Sequence, residues 1–272
     1  MILVNGRHDD KIDVFDRGLQ YGDGVFETIA YRGGRAEFLQ QHLQRLQQGC
    51  ARLSINFEQI DTLRFEVESI CNKLDNDNAV IKVIVTRGSG SRGYFSLNDS
   101  LPTRIVSAHP FPKYPDNYQE KGIYMRFCQQ TLSANRKLAG IKHLNRLEQV
   151  IARNEWDDGD IAEGIMSDAN DNIIEGTMSN IFIVESDHLY TPAITECGIS
   201  GVMRGQIIQL ASRSGLTVEE TVITPKRLAH ADEVFVCNSI IGIWPVNAIA
   251  NHQYQLGFIT QFLQKVLAES EK

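Results

Sequence analysis

Hydrophobic and polar positions along this chain recur at spacings that predict both strands and helices. In the first half, β-branched and alternating runs predict strands in MILVNG, VFETIAYRGG and AVIKVIVTRG. In the second half, they predict strands in GIYMRFC, GIMSD, NIFIVE, TVEETVI and EVFVCNS. Because these strands are interspersed with helical patterns, the chain is predicted to have an α/β (α+β) fold.

Apolar residues at helical spacing predict the helices between these strands. QQHLQRLQQGCARL places Leu43 and Leu46 on one face, and FEQIDTLRFEVESICNKL has a similar stripe. Further helices are predicted near residues 144–156, 204–214 and 257–269. The first of these three has the apolar stripe of an amphipathic helix, formed by Leu144, Leu147, Val150 and Ile151.

A proline-rich segment separates two regions of mixed helix and strand. Four of the seven prolines fall between residues 102 and 115, and HPFPKYPDNYQEKG resembles an inter-domain connection. We therefore predict a small α/β domain at residues 1–113, a linker at 114–120 and a larger α/β domain at 121–272.

Composition narrows the class of protein. The chain has 272 residues and a net charge of −7, which argues against nucleic acid as the main partner. No window has the roughly 18 uninterrupted apolar residues of a membrane span, and the amino terminus becomes polar too early for a signal peptide. The five cysteines are scattered and never form C-x-x-C, which favours reduced thiols and a cytoplasmic location.

Lys142 stands at an unusual place for a lysine. It follows Ala139, Gly140 and Ile141 and precedes the helix predicted near 144–156. A solvated lysine at a corner is the common case. A lysine that is held rigidly and partly removed from water has instead an accessible neutral amine, which imine formation requires. Position alone leaves both interpretations open.

Glu175 raises a similar question within DNIIEGTMSNIFIVE. It follows two isoleucines and precedes a small polar run and a β-branched strand. A carboxylate among apolar residues is costly to bury unless it is paired. Glu175 is therefore either a turn residue that points into water or a buried anion that pairs with a cationic ring nitrogen.

Two turns and one helix carry groups suited to a phosphate. In CGISGVMRGQIIQLASRSG, Gly198 and Gly201 precede a helical run, and such a turn leaves backbone N–H groups available to an anion. In VFVCNSIIGIWPV, a strand breaks at Asn238–Ser239. Arg45 could complete a phosphate site, although an arginine on a helix is usually at the surface.

The loop VTRGSGSRGY combines arginines and glycines directly after a strand of the buried type. It is either a flexible hairpin loop or a loop that closes over an anionic substrate, with Arg87 or Arg92 meeting a carboxylate. His42, His109 and His143 show no metal-ligand spacing with acids or cysteines. We therefore expect structural roles for these histidines and no metal site.

Four motifs, taken together, resemble one enzyme family. GIKHLNRLEQV, EGTMSN, SGVMR and CNSIIGIWPV, in this order and at these distances, resemble the fold-type IV pyridoxal-phosphate enzymes. That family holds the branched-chain and D-amino acid aminotransferases and the aminodeoxychorismate lyases. The similarity runs through essentially the whole chain, and RGSGSRGY together with AGIKHLNRLEQV most resembles the lyases. The resemblance implies the two-domain fold of D-amino acid aminotransferase and pyridoxal 5′-phosphate as cofactor.

The resemblance also implies a role for each candidate residue. Lys142 matches the lysine that binds the cofactor and serves as catalytic base, and Glu175 matches the acid that pairs with the pyridine nitrogen. Phosphate contacts are implied at Arg45, Val202, Met203, Asn238, Ser239 and Ile240. Because Met203 and Ile240 have no hydroxyl group, their contacts would come from the backbone. Substrate contacts are implied at Arg92 and Tyr94 and, near the substrate carboxylates, at Arg104.

For the activity, the resemblance implies a lyase that converts 4-amino-4-deoxychorismate to 4-aminobenzoate and pyruvate in folate biosynthesis. An aminotransferase acting on a D- or branched-chain amino acid is the alternative, with the same Lys142 and Glu175. A non-catalytic α/β binding protein that has kept the fold is a third interpretation. The resemblance further implies a homodimer in which the small domain completes the partner's pocket, with no nucleic-acid or membrane partner.

Overall fold

The computed structural model of the chain describes residues 1–74, 78–90, 92–96, 100–115 and 117–270. The chain divides into two compact units. The first comprises Met1–Pro112 and Ile141–Asn145, and the second comprises Lys113–Gly140 and Arg146–Lys272. Each unit contains both helices and a sheet, which confirms the predicted fold class.

The first unit contains an antiparallel sheet in the order β1-β5-β4-β2-β3. Its strands are β1 (Ile2–Val4), β2 (Gly24–Arg32), β3 (Arg35–Ala36), β4 (Ala79–Thr86) and β5 (Thr103–Pro110). Its helices are α1 (Arg17–Tyr21), α2 (Leu39–Arg52) and α3 (Ile60–Cys71). Strand β5 was not predicted, because polar residues interrupt the apolar pattern of PTRIVSAHP.

The core of the first unit is formed by one face of this sheet together with α2 and α3. Side chains alternate along a strand, so Ile81, Val83 and Val85 of β4 lie on one face, and all three are fully buried. The helices add buried residues from both predicted apolar stripes, namely Leu43, Leu46, Leu63 and Ile70. Burying each such side chain contributes about 1.5–3 kcal/mol, so the apolar patterns account for the packing of this unit.

Residues 141–145 belong to the first unit, although the chain on both sides of them belongs to the second. The Phe26 N–H donates to the Lys142 carbonyl at 2.9 Å, and the Leu144 N–H donates to the Gly24 carbonyl at 3.0 Å. This part of β2 can accept a new neighbour because β3 pairs with the opposite end of the strand. The predicted division placed Lys142 in the second domain, whereas its backbone hydrogen bonds place it in the first unit.

The second unit contains a mixed sheet in the order β11-β10-β9-β12-β13-β6-β7-β8, with β14 beside β13. Its strands are β6 (Ile123–Phe127), β7 (Ile161–Ser167), β8 (Ile173–Gly176), β9 (Asn180–Glu185), β10 (His188–Pro192), β11 (Val218–Thr221), β12 (Glu233–Asn238), β13 (Gly242–Ile249) and β14 (His252–Gln253). Strand β6 is parallel to both β7 and β13. The sequence analysis did not predict β8, β10, β13 or β14.

Strands β9 and β12 form the centre of the second unit. Phe182 and Phe235 lie opposite each other in this antiparallel pair, and their rings stack with centroids 4.9 Å apart. Ile181 and Val236 belong to a second buried cluster, so both faces of the two strands are covered. Strands buried on both faces read as continuous hydrophobic runs, which explains why NIFIVE and VFVC were readily predicted.

Helices cover this sheet and connect its strands. They are α4 (Tyr118–Lys121), α5 (Leu147–Arg153), α6 (Val202–Arg213), α7 (Pro225–Ala229) and α8 (Phe258–Ser270). Helices α6 and α8 pack against β12, and they match the helices predicted near 204–214 and 257–269 within a few residues.

Helix α5 differs from the prediction in its extent and in the face that it buries. It begins at Leu147 rather than near residue 144. Leu147, Val150 and Ile151 are exposed by 75%, 50% and 53%, whereas Gln149 and Ala152 are buried. These three apolar residues of the helix therefore lie on the surface of the chain.

Two further properties concern the whole described chain. None of the helices in the described ranges is both long enough and apolar enough to cross a bilayer. All five cysteines are free thiols. Burial raises the pKa of the Cys50, Cys128 and Cys237 thiols to about 12, which disfavours the reactive thiolate.

Candidate active site

Lys142 is held beside an aromatic ring of the same unit. Its Nζ lies 4.5 Å from the centroid of the Phe26 ring, and Phe26 is the residue whose N–H bonds the Lys142 carbonyl. The side chain of Lys142 is half-buried. Two backbone hydrogen bonds therefore fix the backbone at Lys142, and the Phe26 ring face attracts the ammonium form of the side chain and partly shields it from water.

Arg45 is positioned by a buried carboxylate that the sequence analysis missed. Its Nε and Nη2 donate to Glu27 Oε1 at 2.8 Å and Oε2 at 2.5 Å. His42 Nδ1 lies 2.6 Å from the same Oε2. Burial alone would raise the pKa of Glu27, but the charge of Arg45 and the hydrogen bond from His42 outweigh it and lower the pKa to about 2. Glu27 is thus ionised and holds Arg45 in one orientation.

His42 completes this buried group. Burial lowers the pKa of His42, so the neutral imidazole donates its Nδ1 hydrogen to ionised Glu27. The expectation of a structural role for His42 agrees with this contact. A glutamate inside the apolar strand VFETIA, together with H-x-x-R on the next helix, was the available sequence signal for the group.

Glu175 is a buried carboxyl group rather than a turn residue in water. It lies on β8 and is only 3% exposed. The Ile199 N–H donates to Glu175 Oε2 at 2.8 Å, and Gln149 Nε2 lies 3.5 Å from Oε1. The turn that delivers Ile199 needs glycine, because Gly198 has φ +87° and a Cβ there would meet Ile174 at 2.7 Å.

The first turn of α6 presents backbone N–H groups, as the sequence analysis expected. Gly201 is the N-cap residue, and no side chain caps this end of the helix. A Cβ on Gly201 would lie 2.0 Å from Asn180 Oδ1, so this close approach also requires glycine. The N–H groups of Val202 and Met203 belong to the set that a helix leaves without intrahelical partners, which suits an anion.

The turn after β12 is shaped by Asn238. Its Oδ1 accepts hydrogen bonds from the N–H groups of Ile240 at 2.8 Å and Ile241 at 2.9 Å. Its Nδ2 donates to the Met178 carbonyl at 3.0 Å. The Asn238 side chain therefore builds the turn, and Ser239 is the hydroxyl residue that the turn carries.

The loop that carries Arg92 and Tyr94 is tied to α1. Both residues are exposed. The Arg17 guanidinium donates to the Gly93 and Tyr94 carbonyls at 2.8 and 3.1 Å, and the Tyr21 and Tyr94 rings meet edge to face. The anchored backbone leaves the side chains of Arg92 and Tyr94 at the surface.

Arg87, which was also considered for substrate binding, contacts protein groups. Arg87 Nε donates to Asp23 Oδ2 at 2.7 Å, and its Nη atoms bond the Leu53 and Ser54 carbonyls. These contacts favour a structural role for Arg87.

Arg104 forms a buried ion pair within the first unit. Its Nη2 donates to Glu66 Oε1 at 2.8 Å, its Nε lies 3.1 Å from the same oxygen, and its Nη1 donates to Gln59. Arg104 is 9% exposed. The expected substrate contact stays a prediction, and the contacts of this guanidinium favour a structural role.

No group of three His, Cys, Asp or Glu side chains in the described part of the chain could hold a metal ion.

Comparison with known proteins identifies the family. The profile described as amino-transferase class IV matches residues 24–249. The chain belongs to the class IV aminotransferase family. This assignment confirms the family inferred from the four motifs.

Individual members of the class IV family give a finer comparison. The chain is 34% identical to an aminodeoxychorismate lyase of Vibrio harveyi, over 95% of this chain and 94% of that protein. The crystal structure of 4-amino-4-deoxychorismate lyase from Pseudomonas aeruginosa is similar with a TM-score of 0.95 and 42% identity, covering 99% and 98% of the two chains. The branched-chain aminotransferase of Escherichia coli has a TM-score of 0.89 and 27% identity, covering 100% and 94%. The predicted fold-type IV architecture is confirmed.

The ion pair of Arg104 generates a stability prediction. Arg104→Ala leaves Glu66 buried without its partner, which typically costs about 3–5 kcal/mol. The double variant Arg104→Met/Glu66→Leu should regain most of this loss, because an apolar pair can replace a buried ion pair. Urea unfolding measures both. An Arg104→Ala variant with unchanged stability and a raised KM would contradict the structural role.

The low pKa of Glu27 generates a pH prediction. A carboxylate whose pKa falls from 4.5 to about 2 on folding stabilises the fold fully above about pH 4.5, and this contribution is lost as the pH falls toward 2. The difference in unfolding free energy between the wild type and Glu27→Gln should therefore shrink by roughly 2 kcal/mol from pH 7 to pH 3. Denaturant titrations at the two pH values measure it, and an equal difference at both would refute the assignment.

Proposed function

We propose that this class IV protein is a 4-amino-4-deoxychorismate lyase, which uses pyridoxal phosphate to release pyruvate and form 4-aminobenzoate. The observation that carries the proposal is the 42% identity to a lyase over 99% of the chain, against 27% to an aminotransferase of the same fold. The rigid, half-buried Lys142 amine supplies the chemistry that such a reaction needs.

The residues of the chain fit this cofactor. Its phosphate needs several hydrogen-bond donors and a cation. The uncapped start of α6 supplies backbone N–H groups, and Ser239 supplies a hydroxyl group from the turn that Asn238 shapes. Arg45, oriented by Glu27, supplies the cation. Buried Glu175 supplies the anion for a protonated pyridine nitrogen. The phosphate-binding residues are then Arg45, Val202, Met203, Asn238, Ser239 and Ile240.

When bound, pyridoxal phosphate supplies an electron sink for a carbanion next to the substrate nitrogen. Glu175 strengthens this sink, because its negative charge favours the protonated ring. Lys142 holds the cofactor at rest. Once the substrate amine has displaced it, the Lys142 Nζ accepts the proton from the substrate carbon that bears nitrogen.

The atoms of the overall reaction balance without an added reactant. The C–H bond at the amino-bearing carbon breaks and its proton goes to Lys142. The neighbouring C–O bond then breaks, and the enolpyruvyl group leaves as an enolate. Uptake of one proton at its CH2 carbon gives pyruvate and balances the proton that Lys142 removed. The ring becomes aromatic, which makes this step favourable. Arg92 and Tyr94 are the proposed contacts for the substrate and its carboxylates.

An aminotransferase reaction is the second candidate, because relatives with that name cover most of the chain. A D-alanine aminotransferase of Bacillus licheniformis is 29% identical over 91% of it. Such an enzyme would use Lys142 both to remove the proton and to return one to the cofactor carbon. The products therefore distinguish the two candidates.

The decisive experiment is a product assay on cofactor-loaded protein. With 4-amino-4-deoxychorismate, we expect equimolar pyruvate and 4-aminobenzoate and no need for a 2-oxo acid. Lys142→Ala should reduce the rate at least 10³-fold, because it removes both the covalent attachment and the base. Amino transfer to 2-oxoglutarate without pyruvate release would overturn the lyase assignment.

We also propose that the enzyme is a homodimer that acts in the cytoplasm. Free cysteines suit a reducing compartment. Large apolar side chains are exposed in two places: Phe15, Leu19, Tyr94, Phe95 and Leu101 in the first unit, and Leu147, Val150 and Ile151 on α5. Exposed apolar patches of this kind mark interaction surfaces, and a second copy of this chain is the proposed partner.

The dimer generates its own prediction. We expect light scattering to give twice the chain mass of 30.6 kDa. Phe15→Asp should increase the dimer dissociation constant at least 100-fold, because it buries a charge in an apolar contact. Phe65→Asp is the matched control, since Phe65 is 71% exposed on α3, away from these residues in the sequence. A monomeric wild type would refute the dimer.

A further inference from the structure

The second unit contains a buried carboxylate that the reaction does not use. Glu163 lies on β7 and is 1% exposed. Its Oε1 accepts hydrogen bonds from Gly164 N, Thr177 N and Thr177 Oγ1 at 2.9, 3.1 and 2.6 Å. Its Oε2 accepts from Met178 N and Ser179 Oγ at 3.1 and 2.8 Å. Most of these donors belong to the turn that follows Glu175.

These contacts require a particular ionisation state. Each carboxyl oxygen accepts from at least one backbone N–H group, which can only donate, so the geometry fits the carboxylate. Burial raises the pKa of Glu163 above its usual range, and the hydrogen bonds from Thr177, Ser179 and the backbone offset only part of that rise. Salt bridges within the described residues do not include Glu163. The turn itself is therefore what stabilises the charge.

The turn held by Glu163 connects two proposed cofactor contacts. At one end, Glu175 precedes Gly176, whose N–H donates to the Ser179 carbonyl at 2.7 Å. In its middle, the Met178 carbonyl accepts the hydrogen bond from Asn238 Nδ2. The Asn238 Oδ1 in turn fixes the next turn through the N–H groups of Ile240 and Ile241.

We propose that Glu163 is a positioning residue for the cofactor, whose carboxylate fixes the 176–179 turn and thereby sets both Glu175 and the Asn238–Ile241 turn. This inference rests on the proposed function, because it assumes that the chain binds pyridoxal phosphate. It adds a residue that contacts neither cofactor nor substrate and that acts through hydrogen bonds to the backbone. Loss of the Glu163 carboxylate should weaken both the contact of Glu175 with the cofactor ring and the contacts of the Asn238–Ile241 turn with the cofactor phosphate.

A second buried carboxylate provides a matched control. Glu233 is 7% exposed, and it accepts hydrogen bonds from Ile259 N at 3.0 Å, Thr260 N at 2.8 Å and Thr260 Oγ1 at 2.6 Å. It therefore anchors the start of α8 by the same kind of contact. The described hydrogen bonds of Glu233 do not lead to Glu175 or to the Asn238 turn, so it carries a structural role alone.

The experiment compares Glu163→Gln with Glu233→Gln. In each variant, an amide N–H group is brought against N–H donors, so both apo-proteins should melt several degrees below the wild type. Titration of each apo-protein with pyridoxal phosphate gives its dissociation constant. We expect an increase of at least 10-fold for Glu163→Gln and less than 2-fold for Glu233→Gln. Inorganic phosphate should compete with pyridoxal phosphate for each apo-protein. At equal cofactor occupancy, we expect half-displacement from Glu163→Gln to need a higher phosphate concentration than from the wild type.

The outcomes separate this inference from the proposed function. A wild-type protein that does not bind pyridoxal phosphate would defeat the proposed function. Normal binding by the wild type, with equal loss or no loss in the two variants, would overturn the role of Glu163 alone. If Glu163→Gln does not fold, Thr177→Val removes one hydrogen bond to Glu163 and keeps its charge. We then expect a 3- to 5-fold weaker affinity, and an unchanged affinity would overturn the inference.

Discussion

The pairing of residues 142–144 with β2 is the interaction on which the position of Lys142 depends. Two backbone hydrogen bonds join Lys142 and Leu144 to Phe26 and Gly24, and they place the lysine above an aromatic ring. The next residue of β2, Glu27, orients Arg45. A single strand thus supports both Lys142 and Arg45, with consecutive residues that point to opposite faces.

The second unit buries two carboxyl groups next to its tight turns. Glu175 and Glu163 are both almost fully buried, and a buried carboxylate destabilises the fold unless donors surround it. Backbone N–H groups from tight turns supply those donors. The shape of the turns and the charge of the acids therefore depend on each other, which explains why EGTMSN and CGIS combine small residues with glycine.

The sequence was sufficient to predict the features that depend on local pattern. Buried strands such as β4 and β9 and the helices α2, α3, α6 and α8 follow from periodicity. The motifs around Lys142 and Glu175 were identified by their resemblance to a known family. Interactions between distant segments were not predictable in this way. Glu27 and His42 belong together only because β2 packs against α2, and a sequence does not show that a charge in a strand will meet a cation.

Helix α5 shows the same limit of a local pattern. Its apolar stripe is real, but burial depends on what covers a helix and not on the stripe itself. Gln149 is buried there because it lies 3.5 Å from Glu175, a contact that spans many residues of sequence. Arg104 is a related case, since its neighbours in the sequence gave no indication of the ion pair with Glu66.

The insertion of residues 141–145 into the first unit has a consequence for biosynthesis. When the ribosome has released only Met1–Pro112, the edge of β2 at Gly24–Phe26 lacks its later neighbour, because the matching segment is not yet made. Unpaired strand edges invite association with other chains. The nascent protein must therefore keep this edge protected until translation has passed Asn145, and only then can the first unit close.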